Sequence, residues 1–120
     1  EAAARTFLRD VVDENELMRA RGLRWLGYAQ YHLQAPDALD TLLEALELEQ
    51  YYGGRDVWLC HFAIAEYHDD DSQWQGYHYR QAAKMLQQRA DALQARPHVH
   101  RDFLAHPIVQ RILRKVVRTD

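Results

Sequence analysis

Long apolar runs are missing from this chain. No stretch of its 120 residues approaches the ~20 uninterrupted apolar positions that a membrane-spanning helix requires. Cysteine is nearly absent: Cys60 stands alone, so no internal disulfide can form, which fits a reducing, cytoplasmic setting. Strict alternation of apolar and polar residues does not occur, which points away from half-buried strands. His-Glu-x-x-His, paired Cys-x-x-Cys and a glycine-rich phosphate loop following a strand are all lacking, removing the best-marked zinc and nucleotide sites. The amino terminus, Glu-Ala-Ala-Ala-Arg, has neither an initiator Met nor a signal peptide, and reads as a piece of a longer chain or as a helical linker of the cloning type.

Apolar residues make up 48% of the chain, enough for a core, and a chain of this length buries roughly two-thirds of its unfolded surface. The net charge of −3 is unevenly spread. Residues 1–71 hold 15 acids against 6 bases, while residues 72–120 hold 3 acids against 9 bases. The two ends attract each other, or the C-terminal part presents a basic face to an acidic partner.

Helical periodicity runs throughout. Residues 3–12 place Ala4, Leu8, Val11 and Val12 on one stripe, and Asp13-Glu14-Asn15 then interrupts it, with Asn15 suited to cap a second helix. That helix runs to about Leu33 with Leu17, Ala20, Leu23, Leu26 and Ala29 inward. After the turn at Ala35-Pro36-Asp37, a third helix over 37–51 ends at Gly53-Gly54. A fourth begins near Arg55 or Asp56 and stops at Asp69-Asp70-Asp71-Ser72. A fifth covers roughly 74–94, and Arg96-Pro97 breaks the chain into a polar linker holding His98 and His100. The last helix follows His106-Pro107, with Ile108, Ile112 and Val116 beside Val109, Leu113 and Val117.

One phrase occurs twice. Leu-Gly-Tyr-Ala-Gln-Tyr-His at 26–32 returns as Phe-Ala-Ile-Ala-Glu-Tyr-His at 62–68, a displacement of 36 positions. Such a period belongs to stacked helical hairpins, in which one hairpin cannot bury its apolar face alone. Leu26-Gly27 and Phe62-Ala63 form a bulky-small step where a second helix crosses closely, and Ala38, Leu42 and Ala45 supply small positions on the crossing helix. In these residues the segment 3–94 resembles the tetratricopeptide-repeat family. Ala4, Leu8 and Val11 resemble the second helix of a preceding repeat, displaced by 34, so the first repeat is incomplete. The step from Gly27 to Ala38 is one residue shorter than the family spacing, and the Asp-rich loop at 69–75 lengthens the second repeat. The phrase Arg101-Asp102-Phe103-Leu104-Ala105-His106-Pro107-Ile108-Val109 is similar to the close of helical-repeat regions in large bacterial signalling proteins. Those proteins carry an ATPase, kinase, nucleotide-cyclase or DNA-binding module elsewhere.

The resemblance implies an all-α fold: antiparallel hairpins stacked as a short right-handed solenoid over 1–96, then a linker and capping helix over 97–120. It also implies a concave groove lined by Arg21, Arg24, Tyr28, Tyr31 and His32, then by Cys60, Ile64, Tyr67 and His68. Aromatic and Arg side chains are those enriched at binding hot spots. The same recurrence equally fits one packing niche copied twice. The expected role is non-catalytic binding of a protein or peptide within a bacterial regulatory protein acting in signal transduction or transcription, with self-association as a further outcome and no membrane partner.

Chemistry has weaker support. Cys60 and His61 are neighbours projecting about 100° apart on a helix, a poor nucleophile–base pair. Glu66 with Asp69 could form paired carboxylates, but nothing marks a substrate pocket, and neither an enzymatic role nor a cofactor is expected. Seven His residues raise metal binding, with His61 and His68 two turns apart near Cys60. Arg111, Arg114, Lys115 and Arg118 raise nucleic-acid binding, but a cap shielding the last repeat accounts for that helix better.

Overall fold

The computed structural model describes residues 2–68 and 72–119, and the regular structure among them is entirely α-helical. Residues 69–71, read above as a helix stop, lie outside the described residues. The chain divides into two compact units, Glu1–Asp56 and Val57–Asp120.

The first unit is a helical hairpin of α1 (Ala2–His32) and α2 (Ala38–Tyr51). The expected break at Asp13-Glu14-Asn15 is absent, and α1 runs through it. Asp and Asn lower helix propensity by only a few tenths of a kcal/mol each and, unlike proline, do not break the backbone ladder. Just beyond it, Arg19 pairs with Glu16 at 3.2 Å and with Glu44 of α2 at 2.8 Å. Ala4, Leu8 and Val11 therefore belong to the same helix as Gly27, and not to the second helix of an earlier hairpin.

Both helices close in the same way. At the end of α1 the Ala35 N–H donates to the Gln30 carbonyl (2.8 Å) and the Gln34 N–H to Tyr31 (3.0 Å). At the end of α2, Gly54 N–H donates to Glu49 (2.8 Å) and Gly53 N–H to Gln50 (3.3 Å). This six-to-one, five-to-two pattern requires a left-handed residue. Gly53 supplies it at φ 69°, as the sequence suggested, whereas α1 places a non-glycine residue there, Gln34 at φ 58°.

The face of α1 that meets α2 is centred on Ala20 and Gly27, both buried, and not on Leu26 and Ala29, which are exposed. Across from it Ala38, Leu42 and Ala45 are fully buried. A Cβ added to Gly27 would come within 2.7 Å of Leu42 Cγ, so the missing side chain is what lets α2 approach. The close contact is made where the α1 side chains are short.

The second unit holds α3 (Val57–Tyr67), α4 (Ser72–Ala92), α5 (Pro97–Ala105) and α6 (Pro107–Thr119). Helix α3 is buried nearly all round, including Trp58, Phe62, Ala63, Ile64 and Ala65. Helix α4 packs against it and buries Tyr79, Ala82, Leu86 and Ala90, spaced three or four apart along one face. The linker expected from residue 97 is instead α5, with Pro97 in its first turn, where the missing N–H is harmless. Phe103 meets Trp58 edge-on at 5.6 Å. Helix α6 begins with the His106 Nδ1 accepting the Ile108 N–H (3.2 Å) and packs Val109 and Ile112, fully buried, in contact with α4 and α5.

Because Gln34 bears a Cβ in a left-handed conformation, Gln34→Gly should stabilise the first hairpin by about 0.5–1 kcal/mol. Urea denaturation would detect this as a higher midpoint at unchanged slope.

Candidate partner-binding site

The repeated phrase ends at the same structural place twice. Tyr31-His32 closes α1 and Tyr67-His68 closes α3, each at the end of the first helix of a hairpin. On α1, Tyr28, Tyr31 and His32 sit three and four positions apart and so share a face. The two tyrosine rings are nearly parallel at 6.1 Å, and His32 lies 4.6 Å from Tyr28 and 5.0 Å from Tyr31. Both tyrosines are half-buried and His32 is exposed. Each ring thus offers surface to solvent while its neighbours hold its rotamer.

Arg24 and Arg21 stand one and two turns before Tyr28 on α1. Arg21 Nε and Arg24 Nη1 both lie 3.4 Å from Asp56 Oδ2. They differ in access: the Arg24 side chain is 11% exposed and Arg21 52%. Arg24 is held in the fold, and Arg21 keeps a free side toward solvent. The reason for this cation pair lies beneath it. Glu49 on α2 is 1% exposed, and neither of its oxygens has a hydrogen-bond partner. Burial pushes its carboxyl pKa up, Asp56 adds to that, and Arg24 and Arg21 oppose it. Gly54 makes the room, since a Cβ there would fall on the Glu49 carboxylate.

In the second unit, Tyr67 and His68 are half-buried with rings 5.2 Å apart. The structure extends this pair in a way the sequence did not indicate. His68 lies 6.5 Å from Trp74 and stacks on His78 at 6.2 Å, and Trp74 meets Tyr77 edge-on at 6.3 Å. Trp74 and Tyr77 are exposed. Cys60 and Ile64, expected to line the same groove, are fully buried in the core, because α3 is enclosed on nearly every side.

His78 also meets His61, with Nδ1 to Nδ1 at 2.9 Å, both rings buried. Such a bond needs one ring to donate and the other to accept, so both cannot be charged. Burial holds His61 down to about 4, helped by His78, and holds His78 down to about 4, helped by His68. Among the described residues no group of three His, Cys, Asp or Glu converges as metal ligands would.

Glu66, weighed above as half of a carboxylate pair, is committed elsewhere. Arg111 grips it with two bonds, Nε to Oε1 at 2.7 Å and Nη2 to Oε2 at 3.0 Å, and the Tyr79 hydroxyl donates to Oε2 at 3.0 Å. Burial and the Glu66 charge both push the Tyr79 phenol pKa up. Lys115 lies over the Tyr79 ring at 5.9 Å. Two of the four basic residues read as a solvent-facing row on α6 are therefore engaged in fastening it. Asp69 and the Arg118 side chain lie outside the described residues.

No family model matches the chain, and no characterised protein or solved structure shows significant similarity to it. No helix among the described residues is long and apolar enough to cross a membrane.

Two predictions follow from these buried groups. Unfolded imidazoles titrate near 6.5, and folded His61 and His78 near 4. Between those values the unfolded chain binds more protons, so stability should fall as pH drops from 6.5 towards 4, by on the order of 2–4 kcal/mol for the pair. Below about 4 the pair adds no further loss. Urea unfolding across this range should show the slope, and His61→Gln should flatten it. Separately, Arg111→Ala leaves the Glu66 carboxylate without its cation and should lower stability by about 1–3 kcal/mol. Arg111→Lys should restore only part, lacking the two-pronged geometry, as thermal melts would show.

Proposed function

We propose that the protein is a non-catalytic helical interaction module, TPR-like in organisation, serving a bacterial regulatory protein. It captures a peptide or partner domain on the aromatic surface at the end of α1, where Tyr28, Tyr31 and His32 supply ring area and Arg21 supplies charge. Tyr67 and His68, joined by Trp74 and Tyr77, form the corresponding surface of the second unit. The observation that carries this reading is the recurrence of the Tyr-His pair at the end of the first helix of both hairpins, partly exposed each time.

Half-buried aromatic clusters beside a guanidinium are suited to binding, because stacked rings lose little conformational freedom when covered and Arg can select an acidic partner. The nucleic-acid and metal alternatives draw no comparable support. Arg111 is bonded to Glu66, and the Nδ1 atoms of the buried His61 and His78 are taken up by each other.

The test is selection of short peptides from a displayed library on the immobilised protein, followed by anisotropy titration of an enriched peptide. The triple variant Arg21→Glu, Tyr31→Ala, His32→Ala should weaken binding roughly tenfold or more with helicity retained. Arg24 is left in place because it pairs with Asp56 in the fold. Equal binding by the triple variant would refute the assignment.

A further inference from the structure

Helix α1 carries two apolar faces. One meets α2 around Ala20 and Gly27. The other points away and contains seven of the chain's exposed large apolar side chains: Leu8, Val11, Val12, Met18, Trp25, Leu26 and Leu33, between 38% and 81% exposed. Within this face, positions from Ala4 to Ala29 recur at alternating steps of four and three, the spacing of a helix–helix seam, and each of them is exposed. The span is about 39 Å long at 1.5 Å per residue.

We propose that this face binds a second copy of the chain, with the two α1 helices antiparallel about a two-fold axis. Three features favour that occupant. The first is volume. In the register that sets Asn15 beside Met18 of the second copy, Leu8 falls beside Trp25 and Val11 beside Gly22, so each Trp25 meets a leucine and each Gly22 a β-branched side chain that can enter the gap. A parallel pair would stack Trp25 on Trp25 and leave Gly22 against Gly22.

The second feature is Gly22 itself. It lies inside a long helix, exposed, and a Cβ there would meet nothing within 4 Å. Glycine in such a place destabilises the helix relative to alanine, and nothing within the chain calls for the gap. The Val11 side chain of a second copy fills it. The third is charge. Glu14 and Arg21 flank the same edge of the face, one heptad apart, and both are exposed. The antiparallel register sets each Glu14 opposite Arg21 of the other copy, so the two-fold axis makes the contact twice. A surface that complements itself in shape and charge is what a two-fold contact requires.

The association shares Arg21 with the proposed peptide-binding surface, but Met18 and Val11 take no part in the aromatic cluster at the end of α1, so changes at those two positions test the seam alone. Sedimentation velocity on the intact chain should show a monomer giving way to a dimer as concentration rises from micromolar to millimolar. Met18→Glu, on a side chain already exposed in the monomer, should weaken the association roughly tenfold or more with helicity unchanged. Orientation is read by disulfide trapping, with the fully buried Cys60 silent. A mixture of Val11→Cys and Gly22→Cys chains should cross-link, and neither variant should cross-link with itself. A chain that stays monomeric throughout, a dimer indifferent to Met18→Glu, or self-linking of Val11→Cys chains would each overturn the proposal.

Discussion

The close approach of helices where side chains are short is the constraint on which the rest of this structure depends. Gly27 lets α2 lay Leu42 against the backbone of α1, with Ala20, Ala38 and Ala45 buried in the same unit. Ala63, Ala65, Ala82 and Ala90 are buried in the second unit. Short residues bring helix axes together, and the larger Leu42, Ile64, Leu86 and Ile112 then fill the space beside the contacts.

Tight packing has an electrostatic consequence. Groups caught between close helices lose water and must find partners within the protein. Three solutions occur here. Glu66 is gripped by Arg111 and Tyr79, which ties α6 to α3 and α4. His61 and His78 remain neutral and share one hydrogen bond. Glu49 has no hydrogen bond; its carboxyl pKa is raised, and Arg24 lies close enough to oppose the shift. The pairing of Arg21 and Arg24 with Asp56 follows from that arrangement, and it divides their roles. Arg24 serves the fold, while Arg21 stays half in solvent where a partner can meet it.

The functional reading rests on what remains outside after these demands are met. Rings at the ends of α1 and α3 are partly exposed and held by their neighbours, and the outer side of α1 is apolar over most of its length. A surface of the first kind suits a peptide or a partner domain. One of the second kind, bordered by Glu14 and Arg21, suits its own image.

Much of the fold was legible in the residues themselves. Helical periodicity, the glycine pair after α2 and the prolines at 36, 97 and 107 marked most helix boundaries, since these signals act over a single turn of chain. The same locality explains the failures. Asp13-Glu14-Asn15 looked like a break because capping residues favour helix ends, yet α1 continues through the segment, since these residues lower helix propensity without interrupting the backbone ladder. The polar stretch from 97 looked like a linker until Phe103 found Trp58. Tertiary structure alone decided which of the two apolar faces of α1 turns inward, because periodicity marks a face without saying what covers it. It alone brought His61 to His78 and Arg111 to Glu66, 17 and 45 positions apart, since such meetings depend on how whole helices align.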